Sequence, residues 1–212
     1  MKVDIESPIR ESSNKGESKR QMLINIGTVI FTQKGFSSTS LDEIVVTAKI
    51  PKGSFYYYFR GKEDFAIEVI KNYGNYFSRK LERILNDETK SPIERLKAFM
   101  NEATRGVMQY EFKRGCLIGN LGQEMASLEE GFRIALLDVI RDWRDRIEAC
   151  IEEAKQVGEI NVVLDSDILS RFFWSAWEGA VLCAKLEQSE KPLQIVSEVF
   201  IDQLLQPASN VK

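Results

Sequence analysis

The chain has 212 residues, of which 43% are hydrophobic and 29% charged, with a formal net charge of −3. That is long enough for a small head on a larger body; no uncharged apolar run reaches the ~18 residues of a membrane span, and the polar residues 1–17 lack the apolar core of a secretory signal and read as a flexible arm. There is no histidine, which excludes Ser-His-Asp chemistry, His-ligated metals and histidine proton relays, so neither a metal nor another cofactor is expected.

Helical periodicity dominates and strand signals are weak. The first helix is expected from Ser18 to Lys34, with Leu23, Ile26, Ile30 and Phe31 on one face and Gly35 placed to end it. Thr39-Ser40-Leu41-Asp42-Glu43 reads as a helix start, a hydroxyl cap followed by acids, opening a short helix to Ala48. Pro51 suits the start of a third helix over Lys52–Tyr58. Two short helices at a tight turn make a helix-turn-helix pattern. A long helix follows from Lys62 to Leu85, and Ser91-Pro92-Ile93-Glu94 opens the next, which ends near Tyr110. Further helices are expected over 117–127, 129–157, 165–187 and 192–205. The spacing therefore predicts an all-α chain of nine helices: a head over 18–62 and a body over 63–212.

Charge divides the same way. Residues 10–62 hold nine Lys or Arg against four acids, which leaves the rest of the chain acidic. A basic head on an acidic body is the asymmetry of a DNA-binding protein. Lys52, Gly53 and Ser54 open the second helix of the pair, whose first residues face base edges in the major groove. Gly53 lets the backbone approach DNA closely, and Lys52 can reach a guanine edge or a phosphate. Tyr56, Tyr57 and Tyr58 are consecutive, so a core cannot bury all three with their hydroxyls paired. Thr39 and Lys62 suit phosphate contacts.

The segment Ile50–Phe65, IPKGSFYYYFRGKEDF, with Gly35-Phe36 and Thr39-Ser40-Leu41 upstream, resembles the helix-turn-helix head of the TetR family of transcriptional regulators. Lys49 and Pro51 depart from the family's pattern, which commonly has glycine and serine there. Three cysteines in a chain this long do not make a disulfide framework, so a reducing cytoplasm is the expected compartment; the resemblance implies a homodimeric repressor that binds palindromic double-stranded operator DNA and leaves it when an effector binds the body. It assigns Tyr56 and Tyr58 to the DNA side and Phe55 and Phe59 to the core. It also implies that the helices at 165–187 and 192–205 pair the subunits, with Ala176, Gly179, Ala180 and Ala184 allowing close approach.

In the body, Gly115-Cys116-Leu117-Ile118-Gly119-Asn120-Leu121-Gly122-Gln123-Glu124 is similar to the GCLxxxLxxE signature of one branch of that family, whose members respond to acrylate and to electrophiles and oxidants. By that resemblance Cys116 is the sensing cysteine and Lys185 its partner. A nearby ammonium and a helix N-terminus both lower a thiol's pKa, although most free cysteines are small buried hydrophobes. Cys150 and Cys183 lie on apolar faces and read as core. A pocket between body helices is expected to involve Phe77, Met108, Cys116, Asn120, Trp143, Phe173, Trp174 and Trp177, with Glu178 available to a ligand or to Lys185 on the same face. Two other classes carry less weight. An enzyme lacks a nameable nucleophile and base among acids such as Glu124, Glu129 and Glu130, and an effector-free DNA-binding scaffold would have a fully packed body.

Overall fold

The computed structural model describes residues 15–206. The arm expected at 1–17 lies outside the described residues up to position 14, and the chain is already helical at Lys15. Nine α-helices are present among the described residues: α1 (Lys15–Lys34), α2 (Leu41–Thr47), α3 (Lys52–Tyr56), α4 (Lys62–Leu85), α5 (Pro92–Met108), α6 (Leu117–Met125), α7 (Glu130–Gln156), α8 (Ser166–Glu187) and α9 (Lys191–Glu198). The last turns of α9 widen into a π-helical segment over Val199–Leu205. None of these helices is long and apolar enough to cross a membrane.

Local chemistry sets the boundaries. Gly35 ends α1 at φ +80°, the left-handed conformation that favours glycine. The Ser40 hydroxyl accepts from the Glu43 amide and caps α2, satisfying one of the orphan donors at a helix start. Ser91 and Glu94 form a reciprocal capping box at the start of α5. Asp165 caps α8 through the Asp167 amide at 2.8 Å. In the α2–α3 turn, Lys49 takes φ +54°, which explains why glycine suits that position.

The helices α1–α3 wrap a small core in which Phe55 and Phe59 each pack edge to face on Phe65 and tilt against one another, with ring centroids 4.8–5.3 Å apart. The helix α4 belongs to both halves: it packs on α1 through its first turns, on α7 along most of its length, and on α5. In the body, Trp143, Phe77, Trp174, Phe99 and Phe173 build one aromatic core. Buried Arg95 closes the α4–α5 corner, donating to the carbonyls of Leu85, Asp87 and Lys90 and pairing with Glu153 at 2.8 Å.

Several expectations need correction. The helix α3 stops at Tyr56, and Tyr57 and Tyr58 lie in the turn after it. Cys150 is core, but Cys183 is exposed. Ala180 and Ala184 are buried in their own subunit, whereas Gly179 faces outward. The side of α8 carrying Gly179 also exposes Ile168, Phe172, Leu182 and Leu186 at helical spacing, so the apolar stripe lies a third of a turn from where the alanines suggest.

Candidate nucleic-acid interface and ligand cavity

At the tip of the head, Lys52, Gly53, Tyr56 and Tyr57 are exposed together. Space beside the Gly53 Cα is open, with nothing within 4 Å of where a Cβ would sit. Tyr57 is 83% exposed and Tyr56 52%, large aromatic areas that a free-standing fold would cover. Lys52 Nζ lies 2.8 Å from an Asp42 carboxylate oxygen, and that hydrogen bond holds its pKa above the ordinary lysine value. The ammonium is thus parked beside the α2 N-terminus rather than free. Ser54 and Tyr58 are half-buried, and Tyr58 packs against the head core with its ring on Tyr57 at 4.9 Å.

Two expected phosphate ligands face elsewhere. Thr39 is only 1% exposed and its hydroxyl donates to the Gly35 carbonyl at 2.7 Å, so Ser40 takes the capping position at the surface. Lys62 lies over the Phe36 ring, 4.0 Å from its centroid. Burial depresses its pKa, with Glu63 and Glu124 opposing.

Behind the head lies a cavity of about 670 Å³. The helices α4, α5 and α8 supply most of its wall, the α5–α6 turn closes one side, and α1 supplies Asn25, Thr28, Val29 and Thr32. The aromatic rings of Tyr73, Phe77, Trp174 and Trp177 face it together with Cys116 and Glu178. Such a concave, largely apolar space with a few polar groups is the form that small-molecule sites take. Of the other expected lining residues, Trp143 and Phe173 are fully packed in the core and Met108 is 42% exposed outside. Asn120 turns away, donating to the Thr32 carbonyl at 3.0 Å. The contribution of α1 escaped the sequence reading. Its polar Asn25, Thr28 and Thr32 recur at helical spacing on the face opposite the head core, a signal that could have found it.

The electrostatics of Cys116 differ from expectation. Burial and the Glu178 charge push its thiol well above the ordinary range, against the amides of Gly119 and Ile118 that favour the thiolate. Burial also raises Glu178 to about 7, with the Cys116 contact opposing. The acid, not Lys185, is therefore the group facing the thiol. Lys185 lays its aliphatic chain against Gly115 and makes no ion pair with Glu178 among the described residues. Nor do the neighbouring cations serve the thiol: Lys113 pairs with Glu111, and Arg114 stacks 4.0 Å from the Tyr110 ring centroid.

The helix α6 joins this cavity to the head. Cys116 is its N-terminal flanking residue. About two turns on, the Glu124 carboxylate accepts from the Phe36 amide at 2.8 Å and the Ser37 amide at 2.6 Å.

Comparison with known proteins agrees with this geometry. Residues 23–69 match the family model described as bacterial regulatory proteins, tetR family, and residues 92–200 match the tetracyclin repressor-like C-terminal domain. Over 85% of its length the chain is 44% identical to the transcriptional regulator AcuR of Cereibacter sphaeroides, covering 82% of that protein. It is 31% identical to the repressor DhaR of Mycobacterium sp. GP1, over 91% of this chain and 95% of that one. The repressor NemR of Escherichia coli is 27% identical over 82% of this chain and 88% of its own length. A crystal structure of a TetR regulatory protein from Rhodobacter sphaeroides superposes with a TM-score of 0.83 at 43% identity, covering 86% of this chain and 97% of that one. Reduced Escherichia coli NemR superposes at 0.81 and 25% identity, covering 92% and 100%. With its helix-turn-helix head, its cavity-bearing helical body and these relatives, the chain belongs to the TetR family of DNA-binding transcriptional regulators and is not an enzyme.

Proposed function

We propose that the protein is a cytoplasmic homodimeric repressor that leaves a palindromic operator when a small molecule occupies the cavity behind its head. The observation that carries this reading is the shared wall: Asn25, Thr28 and Thr32 of the head's first helix line the same space as Trp177 and Glu178 of the body. A ligand there contacts head and body at once, and it shifts the DNA-binding equilibrium by its differential affinity for the two arrangements. The printed names of DhaR and NemR as repressors support repression as the mode. The exposed apolar stripe of α8, continued by Ile195 and Val199, supports pairing through α8 and α9. A body with an open cavity also argues against an effector-free scaffold.

In this reading residues 18–62 read DNA, and residues 63–212 hold the effector and pair the subunits. Lys52, Gly53, Ser54 and the tyrosines at 56 and 57 meet the major groove and its flanking phosphates. A second reading, an electrophile or oxidant that modifies Cys116, is favoured by the presence of that residue in the cavity wall. Burial and the Glu178 charge disfavour its thiolate, so this reading calls for a strongly reactive effector or a rearranged site.

The deciding experiment is a mobility shift with the DNA upstream of the protein's own gene, before and after N-ethylmaleimide or hypochlorite, on wild type and Cys116→Ser. Release in wild type alone supports covalent sensing. Binding that survives both reagents supports a non-covalent effector. Failure to bind any local promoter overturns the operator reading.

A further inference from the structure

The signature Gly115–Glu124 ends in an acid that neither DNA contact nor ligand contact employs. Its place is specific. After Gly35 the chain leaves α1, and the amides of Phe36 and Ser37 point away from the head with no helix to receive them. The Glu124 carboxylate accepts both, one on each oxygen. Burial works against its charge, yet the Ser37 and Phe36 donors and the charge on Lys62 hold the carboxyl below the usual carboxylate range. Four residues earlier, Asn120 donates to the Thr32 carbonyl in the last turn of α1. The far end of the head's first helix and the loop leading to α2 are thus held by side chains of α6.

The opposite end of α6 meets the cavity. Cys116 lines it, and one Glu178 oxygen lies only 2.1 Å from where a Cβ on Gly119 would sit. The acid of α8 therefore rests directly on the α6 backbone. A nine-residue helix is a rod of about 13 Å, and packed interiors shift as units rather than deform locally. Pressure at Gly119 that the Glu178 side chain does not absorb by swinging into the cavity is carried along α6 to Asn120 and Glu124.

We propose that Glu124 is the positioning residue through which the cavity controls the reading head: α6 carries displacement at its contact with Glu178 to the loop from Gly35 to Thr39, which sets α2 and α3. The inference rests on the reading of the cavity as the effector site. It adds that the Glu124 carboxylate and its two amide donors are the main link, beside the Asn120–Thr32 contact.

The test is a double-mutant cycle on operator affinity, with a duplex selected from random-sequence DNA by the protein itself. Gly119→Val puts methyl groups where the Glu178 carboxyl lies and so mimics an occupied cavity; Gly119→Ala is the milder version should the first fold poorly. Glu124→Gln keeps the shape and one accepting oxygen but turns an amide donor toward the other of the Phe36 and Ser37 N–H groups. Each is measured alone and together, with melting curves to establish folding. If α6 transmits through the latch, the Gly119 substitutions change operator Kd at least fivefold in the wild-type background and less than twofold in the Glu124→Gln background. Hydrogen exchange at Phe36 and Ser37 should rise in the Gly119 variants only while Glu124 is present. Equal fold-changes in both backgrounds overturn the latch, as does an unchanged Kd in the Gly119 single variants. Selection of no sequence at all would instead defeat the operator reading, and the latch with it.

Discussion

Cys116 and Glu178 face each other across the α6–α8 contact, and the acid makes the thiol harder to ionise. Glu178→Gln should therefore lower the thiol's pKa and raise the thiolate fraction. In a Cys183→Ser background, which removes the exposed thiol, iodoacetamide should label Cys116 faster in the Glu178→Gln protein at pH 8, roughly tenfold for each pKa unit the acid supplies. Mass spectrometry of the labelled chain reads the rate. A slower rate would mean that Glu178 takes the thiol proton and is needed for reaction.

The same acid makes stability depend on pH. Its folded pKa of about 7 lies above the ordinary 4.5, so ionisation is harder in the folded chain. No penalty exists below the unfolded pKa; it grows as pH rises from there to about 7 and is constant beyond. Glu178→Gln should stabilise the protein at pH 8 by up to roughly 3 kcal/mol, and by much less at pH 5. Urea unfolding of both proteins at the two pH values checks this, and an equal gain at both would contradict a titrating Glu178.

Lys49 holds the α2–α3 turn at φ +54°, a conformation that disfavours side chains by roughly 1 kcal/mol. Lys49→Gly should raise unfolding stability by a similar or somewhat smaller amount. A loss of stability would show that the lysine side chain contributes something beyond filling the turn.

At the head's tip, Tyr57→Ala should leave the melting temperature unchanged, because the ring is 83% exposed, while weakening operator binding. Lys52→Ala should weaken binding too, and its salt dependence distinguishes the contact made. A slope shallower by about one unit marks a phosphate; a relaxed base preference at one position marks the major groove. Asp42→Asn releases Lys52 from its 2.8 Å partner and should strengthen non-specific binding at low salt.

Much of this was legible in the residues. The motif Ile50–Phe65 announces the reading head, and helix ends follow from Gly35, Ser91 and Pro92 because capping is local chemistry. What failed needed three-dimensional direction. Adjacent hydroxyls at Thr39 and Ser40 are equivalent as caps on paper, but only one can face outward once Phe36 is buried. Glu178 and Lys185 are seven residues apart on one face of α8, which does not say that the neighbouring turn at Gly115 takes up the lysine's stem. Glu124 stood out only as the last residue of the Gly115–Glu124 signature, with no role to read, since its partners are backbone amides 87 and 88 residues away.

Because α1 lends Asn25, Thr28, Val29 and Thr32 to the cavity, the chain is not modular in the way its two family matches suggest. A chimera carrying this head on a relative's body would import part of the ligand pocket along with the operator preference. Engineers who swap heads to rewire such sensors should expect altered inducer selectivity, unless the polar face of α1 is transplanted back to suit the recipient.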